Sequence, residues 1–145
     1  MNQVVVKQEK SGYQIVEAYK SLRTNLQFCG EDKKVIAVTS CTPNEGKSSV
    51  SMQLGISLAE SGKRVILIDA DLRKSVLLGR TKTEKSVRGL AHFLSGQASL
   101  EDVICATNIK NFYMIYSGPF PPNPAELLGG KNFRSLLNAL RKVYD

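Results

Sequence analysis

The segment from Val35 to Ser49, VIAVTSCTPNEGKSS, limits the possible folds more than any other part of the sequence. An apolar run rich in β-branched residues comes first, and a polar loop then leads to Gly46-Lys47-Ser48. An amphipathic helical pattern begins at Lys47. A strand, a loop and a helix start in this order predict a Walker A phosphate loop, a motif of α/β folds.

The predicted phosphate loop supplies the groups that a nucleotide needs. Gly46 lets the backbone approach closely, Lys47 is placed to reach the β- and γ-phosphates, and the Ser48 hydroxyl is placed to ligate Mg²⁺. The expected ligand is therefore ATP with Mg²⁺. One position departs from the GxxxxGK[ST] pattern, because Cys41 stands where the first glycine is expected. The expected nucleotide-binding residues are Thr42, Pro43, Asn44, Glu45, Gly46, Lys47, Ser48 and Ser49.

Two carboxylates follow the second apolar run, which reads VILIDAD from Val65 to Asp71. Ligands of open α/β sheets lie at the carboxyl ends of the strands. Spacing by two residues places Asp69 and Asp71 on one side of an extended segment. Such a pair suits Mg²⁺ coordination and orientation of an attacking hydroxyl group, although a polar strand end that caps the next turn is the plainer alternative. The expected catalytic residues are Lys47, Asp69 and Asp71, and the expected metal ligands are Ser48, Asp69 and Asp71.

Apolar strands alternate with amphipathic helices along the chain, which predicts an α/β fold with a mostly parallel sheet and helices on both faces, in three αβα layers. The pattern predicts strands at 35–39, 65–68 and 112–116, and helices at 13–28, 47–61, 89–94, 100–106, from Asn123 and from about 132. Residues 73–88 are expected to form a polar loop. Asn123 is expected to cap its helix, with Pro124 at the first position and Glu126 completing a capping box.

The bulk composition excludes several classes of protein. The 145 residues fit one domain, and the net charge of +7 is spread along the chain without a dense basic tract, so nucleic-acid binding is not expected. Three cysteines in no metal-binding spacing indicate reduced thiols in a cytosolic protein. No apolar run is long enough for direct membrane insertion.

Four stretches resemble the bacterial tyrosine kinases (BY-kinases) of capsular and exopolysaccharide assembly, of the CpsD/CapB type. They are TSCTPNEGKS at 39–48, ILIDADLR at 66–73, GLAHFLSGQASLEDVI at 89–104 and GPFPPNPAELL at 118–128. Their order and spacing agree with the family across most of the chain. The resemblance implies an ATP-dependent transferase that moves a phosphoryl group to tyrosine hydroxyls, with Asp69 and Asp71 as its Walker A′ carboxylates.

The resemblance also implies partners. The family's ExxRxxR motif for ring-like self-assembly is matched by Glu17, Lys20 and Arg23, with Lys20 replacing the first arginine. Residues 1–30 are thus expected to be a helical oligomerisation segment, and 31–145 the nucleotide-binding domain. Family members pair with a transmembrane polysaccharide co-polymerase or activator. The resemblance therefore implies a homo-oligomer in the cytoplasm, held at the inner face of the membrane through that protein.

The family's Walker B strand and tyrosine-rich tail have no counterpart before Asp145, so the domain is expected to be incomplete at its C-terminus and the chain alone a poor kinase. Two other readings stay open. A MinD/ParA-like ATPase switch would carry a signature lysine where Thr42 stands. A non-catalytic nucleotide-binding scaffold would need neither the Walker B strand nor the tail.

Overall fold

The computed structural model describes residues 1–8, 10–42, 46–78, 81–83 and 86–145. Its helices are α1 (Tyr13–Phe28), α2 (Lys47–Glu60), α3 (Leu90–Leu94), α4 (Leu100–Val103), α5 (Pro124–Leu128) and α6 (Lys131–Arg141). Its strands are β1 (Asn2–Val6), β2 (Val65–Ile68), β3 (Thr81–Thr83), β4 (Cys105–Thr107) and β5 (Phe112–Ile115).

The five strands form one sheet in the order β2-β5-β4-β1-β3. The β2–β5 and β1–β4 pairs are parallel, whereas β4–β5 and β1–β3 are antiparallel. The predicted α/β class is confirmed, but the sheet of the described strands is mixed rather than mostly parallel. The short connection between β4 and β5 explains part of this, because a tight turn joins antiparallel neighbours.

Side chains that alternate along the strands divide the interior into two cores, one on each face of the sheet. In β5, Phe112 and Met114 join α2 in the first core, while Tyr113 and Ile115 join α3, α4 and α6 in the second. The same alternation holds in β2, where Val65 and Leu67 pack against the first core and Ile66 and Ile68 against the second. This arrangement confirms the three predicted layers.

The predicted strand at 35–39 is wrong. Residues 33–40 form no strand, and Val35, Ile36 and Val38 are 47%, 45% and 37% exposed. A strand needs a neighbour to take its backbone hydrogen bonds, and no described strand lies against this segment. High β propensity is therefore not sufficient here.

Other differences lie at the edges of the elements. The sequence pattern missed β1 and β3, and the predicted helix 100–106 ends at Val103, where β4 follows almost at once. The Asn123 side chain makes no capping bond to the helix backbone; instead its Nδ2 donates to Glu126 Oε2 at 3.4 Å. Just after α6, Tyr144 is buried, whereas the neighbouring Val143 is 50% exposed.

Candidate nucleotide-binding site

The start of α2 has the features of an anion site. Gly46 precedes the helix with φ of 82°, a left-handed conformation that favours glycine, and its carbonyl accepts from the Val50 N–H at 2.9 Å. No acidic residue lies in the first turn, and no described side chain caps the helix. The partial positive charge at this end of α2 is therefore available to a phosphate group.

The two carboxylates lie where β2 ends. The Asp69 N–H donates to Ile115 O at 2.8 Å, which extends the β2–β5 pairing by one residue. Asp69 is only 6% exposed. Its Oδ1 accepts from the Asp71 N–H at 3.1 Å, and its Oδ2 accepts from the Ser75 hydroxyl. Burial and two hydrogen bonds hold this side chain in one place.

Asp71 is the more accessible of the pair. Its Oδ1 accepts from the backbone N–H groups of Arg73, at 3.3 Å, and Lys74, at 2.9 Å. Its Oδ2 lies 3.7 Å from Lys47 Nζ, with the two side chains 29% and 36% exposed. This ion pair joins the start of α2 to the end of β2. A pair this exposed contributes about 0.2–1 kcal/mol to stability, so an arriving phosphate can displace it.

The two carboxylates differ in acidity because their surroundings differ. Burial raises the pKa of Asp69 above its usual value, against the opposing effects of the Ser75 and Asp71 hydrogen bonds. Partial burial of Asp71 acts in the same direction, but the N–H groups of Lys74 and Arg73, together with Lys47, outweigh it and lower the pKa of that carboxyl. Asp69 is thus the stronger base and Asp71 the more persistent anion.

The adjacent end of β5 is fixed by a close backbone contact. Leu90 N–H donates to Tyr116 O at 2.6 Å and Ala91 N–H to Ser117 O at 2.9 Å, so α3 begins directly against β5. A Cβ on Gly89 would overlap the backbone nitrogen of Gly118. The two glycines therefore allow α3 to approach the carboxyl edge of the sheet.

The structure brings only some of the predicted site residues together. Gly46, Lys47, Asp69 and Asp71 form one connected group, and Ser48 and Ser49 lie in the first turn of α2. Pro43, Asn44 and Glu45 lie outside the described residues, while Thr42 accepts from the Ser40 hydroxyl through its carbonyl at 3.1 Å. Ser75 was missed, since a serine in a polar loop carries no sequence signal for a bond to Asp69.

The residues predicted for self-assembly lie on α1. Lys20 pairs with Glu17 at 3.3 Å, and both side chains are about half exposed. Arg23 instead contacts α2 of the same chain, where it donates to Ser57 O at 2.8 Å and to Ser57 Oγ at 3.2 Å.

The donor set suits a hard cation. Carboxylate and hydroxyl oxygens are the ligands that Mg²⁺ prefers, and Asp69, Asp71 and Ser48 offer them beside the helix start. Within the described ranges, no cluster of three or more histidine, cysteine or acidic side chains could hold a metal by itself. Water and nucleotide phosphates would therefore complete the coordination of Mg²⁺, as is common for this ion.

The fold and site define a nucleotide-binding α/β protein of the P-loop class. The chain belongs to the family described as AAA domain, whose model matches residues 33–145. It is 45% identical over 129 residues to tyrosine-protein kinase CpsD of Streptococcus pneumoniae serotype 4, covering 89% of this chain and 57% of the relative. The resemblance to bacterial tyrosine kinases is thereby confirmed.

Solved structures agree with this assignment. The kinase domain of Escherichia coli tyrosine kinase ETK matches with a TM-score of 0.83 and 36% identity, over 90% of this chain and 51% of that one. The BceF tyrosine kinase domain matches with a TM-score of 0.80 and 42% identity, over 89% and 52%. This chain spans about half the length of the relatives it matches. Among the described residues, no helix is both long and apolar enough to cross a membrane.

Proposed function

We propose that this chain is the ATP-binding part of a protein-tyrosine kinase that acts in capsular or exopolysaccharide synthesis and export. The observation that carries the proposal is the 3.7 Å contact between Lys47 Nζ and Asp71 Oδ2, since it links the phosphate loop to the carboxylate pair. The names of the matched relatives support the choice of tyrosine as the acceptor.

In the proposed reaction a tyrosine hydroxyl oxygen bonds to the γ-phosphorus of ATP, the bond to the β–γ bridging oxygen breaks, and ADP leaves. Lys47 releases Asp71 and turns to the β- and γ-phosphates. Ser48, Asp69 and Asp71 would hold Mg²⁺, which when bound supplies charge neutralisation at the phosphates. Catalysis then rests on positioning and electrostatics, as is general for phosphoryl transfer.

The tyrosine proton passes to one of the two carboxylates. Asp69 has the higher affinity for a proton, because burial raises its pKa, whereas Asp71 is easier to reach from solvent. Asp69→Asn and Asp71→Asn separate the two roles. The variant that removes the proton-accepting carboxylate is expected to lose turnover while it retains nucleotide affinity. The variant at the other carboxylate is expected to lose nucleotide affinity as well.

The direct test incubates the chain with Mg²⁺, γ-labelled ATP and a glutamate–tyrosine copolymer, beside Lys47→Met. Label on tyrosine from the wild type alone supports the kinase proposal. Nucleotide binding without label would contradict catalysis by this chain and favour the nucleotide-binding scaffold. Hydrolysis of ATP without transfer to tyrosine would favour an ATPase switch.

We further propose that residues 1–30 mediate self-assembly and that a transmembrane polysaccharide co-polymerase or activator holds the protein at the inner face of the membrane. Several apolar side chains of α1 support the first part, since Tyr13, Ile15 and Val16 are 78%, 53% and 40% exposed. β1 nevertheless belongs to the same sheet as the rest of the chain. Sedimentation of Ile15→Glu beside the wild type tests self-assembly; an unchanged oligomer would contradict it.

A further inference from the structure

The segment that follows Asp71 is anchored at both of its ends. Leu72 is 2% exposed and packs in the second core, whereas Leu77 is 4% exposed and packs in the first. The Leu72 N–H also donates to Ala70 O at 3.0 Å, and residues 72–74 form a turn. The residues between the two leucines are therefore held beside the carboxylates, because their ends are buried in opposite cores.

Two cations lie within this anchored segment. Arg73 and Lys74 are both exposed, and their backbone N–H groups donate to Asp71 Oδ1 at 3.3 and 2.9 Å. Neither side chain forms an ion pair with any residue that the structure describes. Two positive charges are thus available to a ligand, and their backbone is bonded to a carboxylate of the candidate site.

The Asp71 carboxylate separates these two cations from the phosphate loop. Its Oδ2 lies 3.7 Å from Lys47 Nζ, at the start of α2, whereas its Oδ1 faces the turn. In phosphoryl transfer the attacking and leaving oxygens are roughly in line, on opposite sides of the γ-phosphorus. With ATP on the Lys47 side, the tyrosine is left to approach from the side that Arg73 and Lys74 flank.

The anchored segment can contact both the acceptor tyrosine and its neighbours in a peptide. An extended peptide advances about 3.3 Å per residue, so residues one to three positions from the tyrosine lie within about 10 Å of it. Arg73 and Lys74 have long side chains that suit such distances. Val76, which is 52% exposed, follows Ser75, the residue that donates to Asp69, and offers an apolar contact to the tyrosine ring.

We propose that Arg73 and Lys74 select the acceptor, so that the site prefers tyrosines with Asp or Glu within about three residues on either side. This inference rests on the proposed kinase function and adds the class of peptide substrate. Arg73 can bind a carboxylate through two parallel hydrogen bonds, and Lys74 binds one as a point charge. Because both cations are exposed, the preference is modest and falls as the salt concentration rises.

The kinetic experiment compares two acetylated and amidated peptides, Glu-Glu-Gly-Tyr-Gly-Glu-Glu and Gln-Gln-Gly-Tyr-Gly-Gln-Gln, as acceptors of phosphate from γ-labelled ATP. The KM of the acidic peptide is expected to be about threefold to tenfold lower, with similar kcat, because exposed charge pairs contribute modestly to binding. The two KM values are expected to converge at about 0.5 M salt. Equal KM values at low salt would overturn the proposal.

A pair of double variants locates the preference. Arg73→Gln with Lys74→Gln removes both charges but keeps the backbone donors to Asp71, and is expected to lose the preference for the acidic peptide. Lys131→Gln with Arg134→Gln removes two exposed cations from α6 and is expected to keep it. Mg-ADP affinity about tenfold lower in the first double variant would show that these cations hold the nucleotide, and would overturn the proposal.

A binding measurement separates this proposal from the kinase function itself. Fluorescent forms of both peptides, with Phe in place of Tyr, are titrated into the chain in the presence of Mg-ADP, so no transfer is needed. Tighter binding of the acidic peptide that is lost in the Arg73 and Lys74 double variant supports the proposal, even if no tyrosine peptide is labelled and the kinase function fails. Equal affinity for the two peptides, or no binding of either, would overturn it whether or not transfer occurs.

Discussion

Residues 35–39 and β2 have nearly the same character in sequence but different structures. The first reads VIAVT and the second VILI, and both are short and rich in β-branched residues. The phosphate loop follows the first, and the carboxylate pair follows the second. β2 pairs along its whole length with β5, whereas residues 33–40 form no strand. The difference shows that a partner, rather than propensity, decides which apolar run becomes a strand.

The functional groups of the site are divided between these two regions. Asp69 and Asp71 lie at the end of the paired strand, and five hydrogen bonds or ion pairs fix their oxygens. Residues 33–40, before the phosphate loop, form no strand, and Val35 and Ile36 are 47% and 45% exposed. The carboxylate half of the site is therefore the better organised half.

The largest expected effect comes from matched isoleucine truncations in the two regions. Ile115 of β5 is fully buried, so Ile115→Ala is expected to lower the free energy of unfolding by about 2–5 kcal/mol. Ile36 is 45% exposed, and Ile36→Ala is expected to stay within about 0.5 kcal/mol. Urea denaturation measures both. A loss of more than about 2 kcal/mol at Ile36 would mean that this segment is packed in solution like β2.

The second effect tests whether the two halves of the site act together. At a concentration about 100-fold above the dissociation constant, Mg-ATP is expected to stabilise the wild type by about 2.7 kcal/mol. Lys47→Met is expected to abolish this gain, because the phosphates lose their lysine and the end of α2 alone remains. Lys131→Met, at the start of α6, is the control. Stabilisation of Lys47→Met equal to that of the wild type would contradict the assignment of the phosphate loop.

The third effect concerns Ser75, which holds the buried Asp69. Ser75→Ala leaves one carboxylate oxygen without its hydroxyl donor, and is expected to cost about 1–3 kcal/mol. Ser61→Ala is the control, since the Ser61 hydroxyl donates to Leu58 O at 2.7 Å at the exposed end of α2. Thermal or urea unfolding separates the two. Equal losses at both positions would show that the Asp69 contact has no special weight.

Much of this arrangement was readable from the sequence, and the rest was not, for physical reasons. Helices with a long apolar stripe, such as α1 and α2, were predicted within a residue or so, because the 3.6-residue period depends only on local chain geometry. The position of the carboxylate pair was predicted from the end of the apolar run that forms β2. The order of the sheet, the antiparallel β4–β5 pair and the lack of a strand at 35–39 depend on partners distant in sequence, which no local pattern records. The hydrogen bond from Ser75 to Asp69 could not be predicted for the same reason.

The smallest effect tests how differently the two carboxylates are held. Burial raises the pKa of Asp69 above its usual 3.8, so the folded chain binds this proton more tightly than the unfolded chain. The resulting stability is fully present below pH 3.8 and is lost as pH rises through the raised value. Asp71 has a lowered pKa, so its contribution is present above 3.8 and is lost as pH falls through the lowered value.

Urea denaturation of the wild type, Asp69→Asn and Asp71→Asn across the acidic range compares the two directly. The free energy of unfolding of the wild type minus that of Asp69→Asn is expected to fall with rising pH, because asparagine does not titrate. The free energy of unfolding of the wild type minus that of Asp71→Asn is expected to rise. Each variant thus serves as the control of the other. Slopes of the same sign would mean that the carboxylates share one environment, and that burial at the end of β2 does not distinguish a base from an anion.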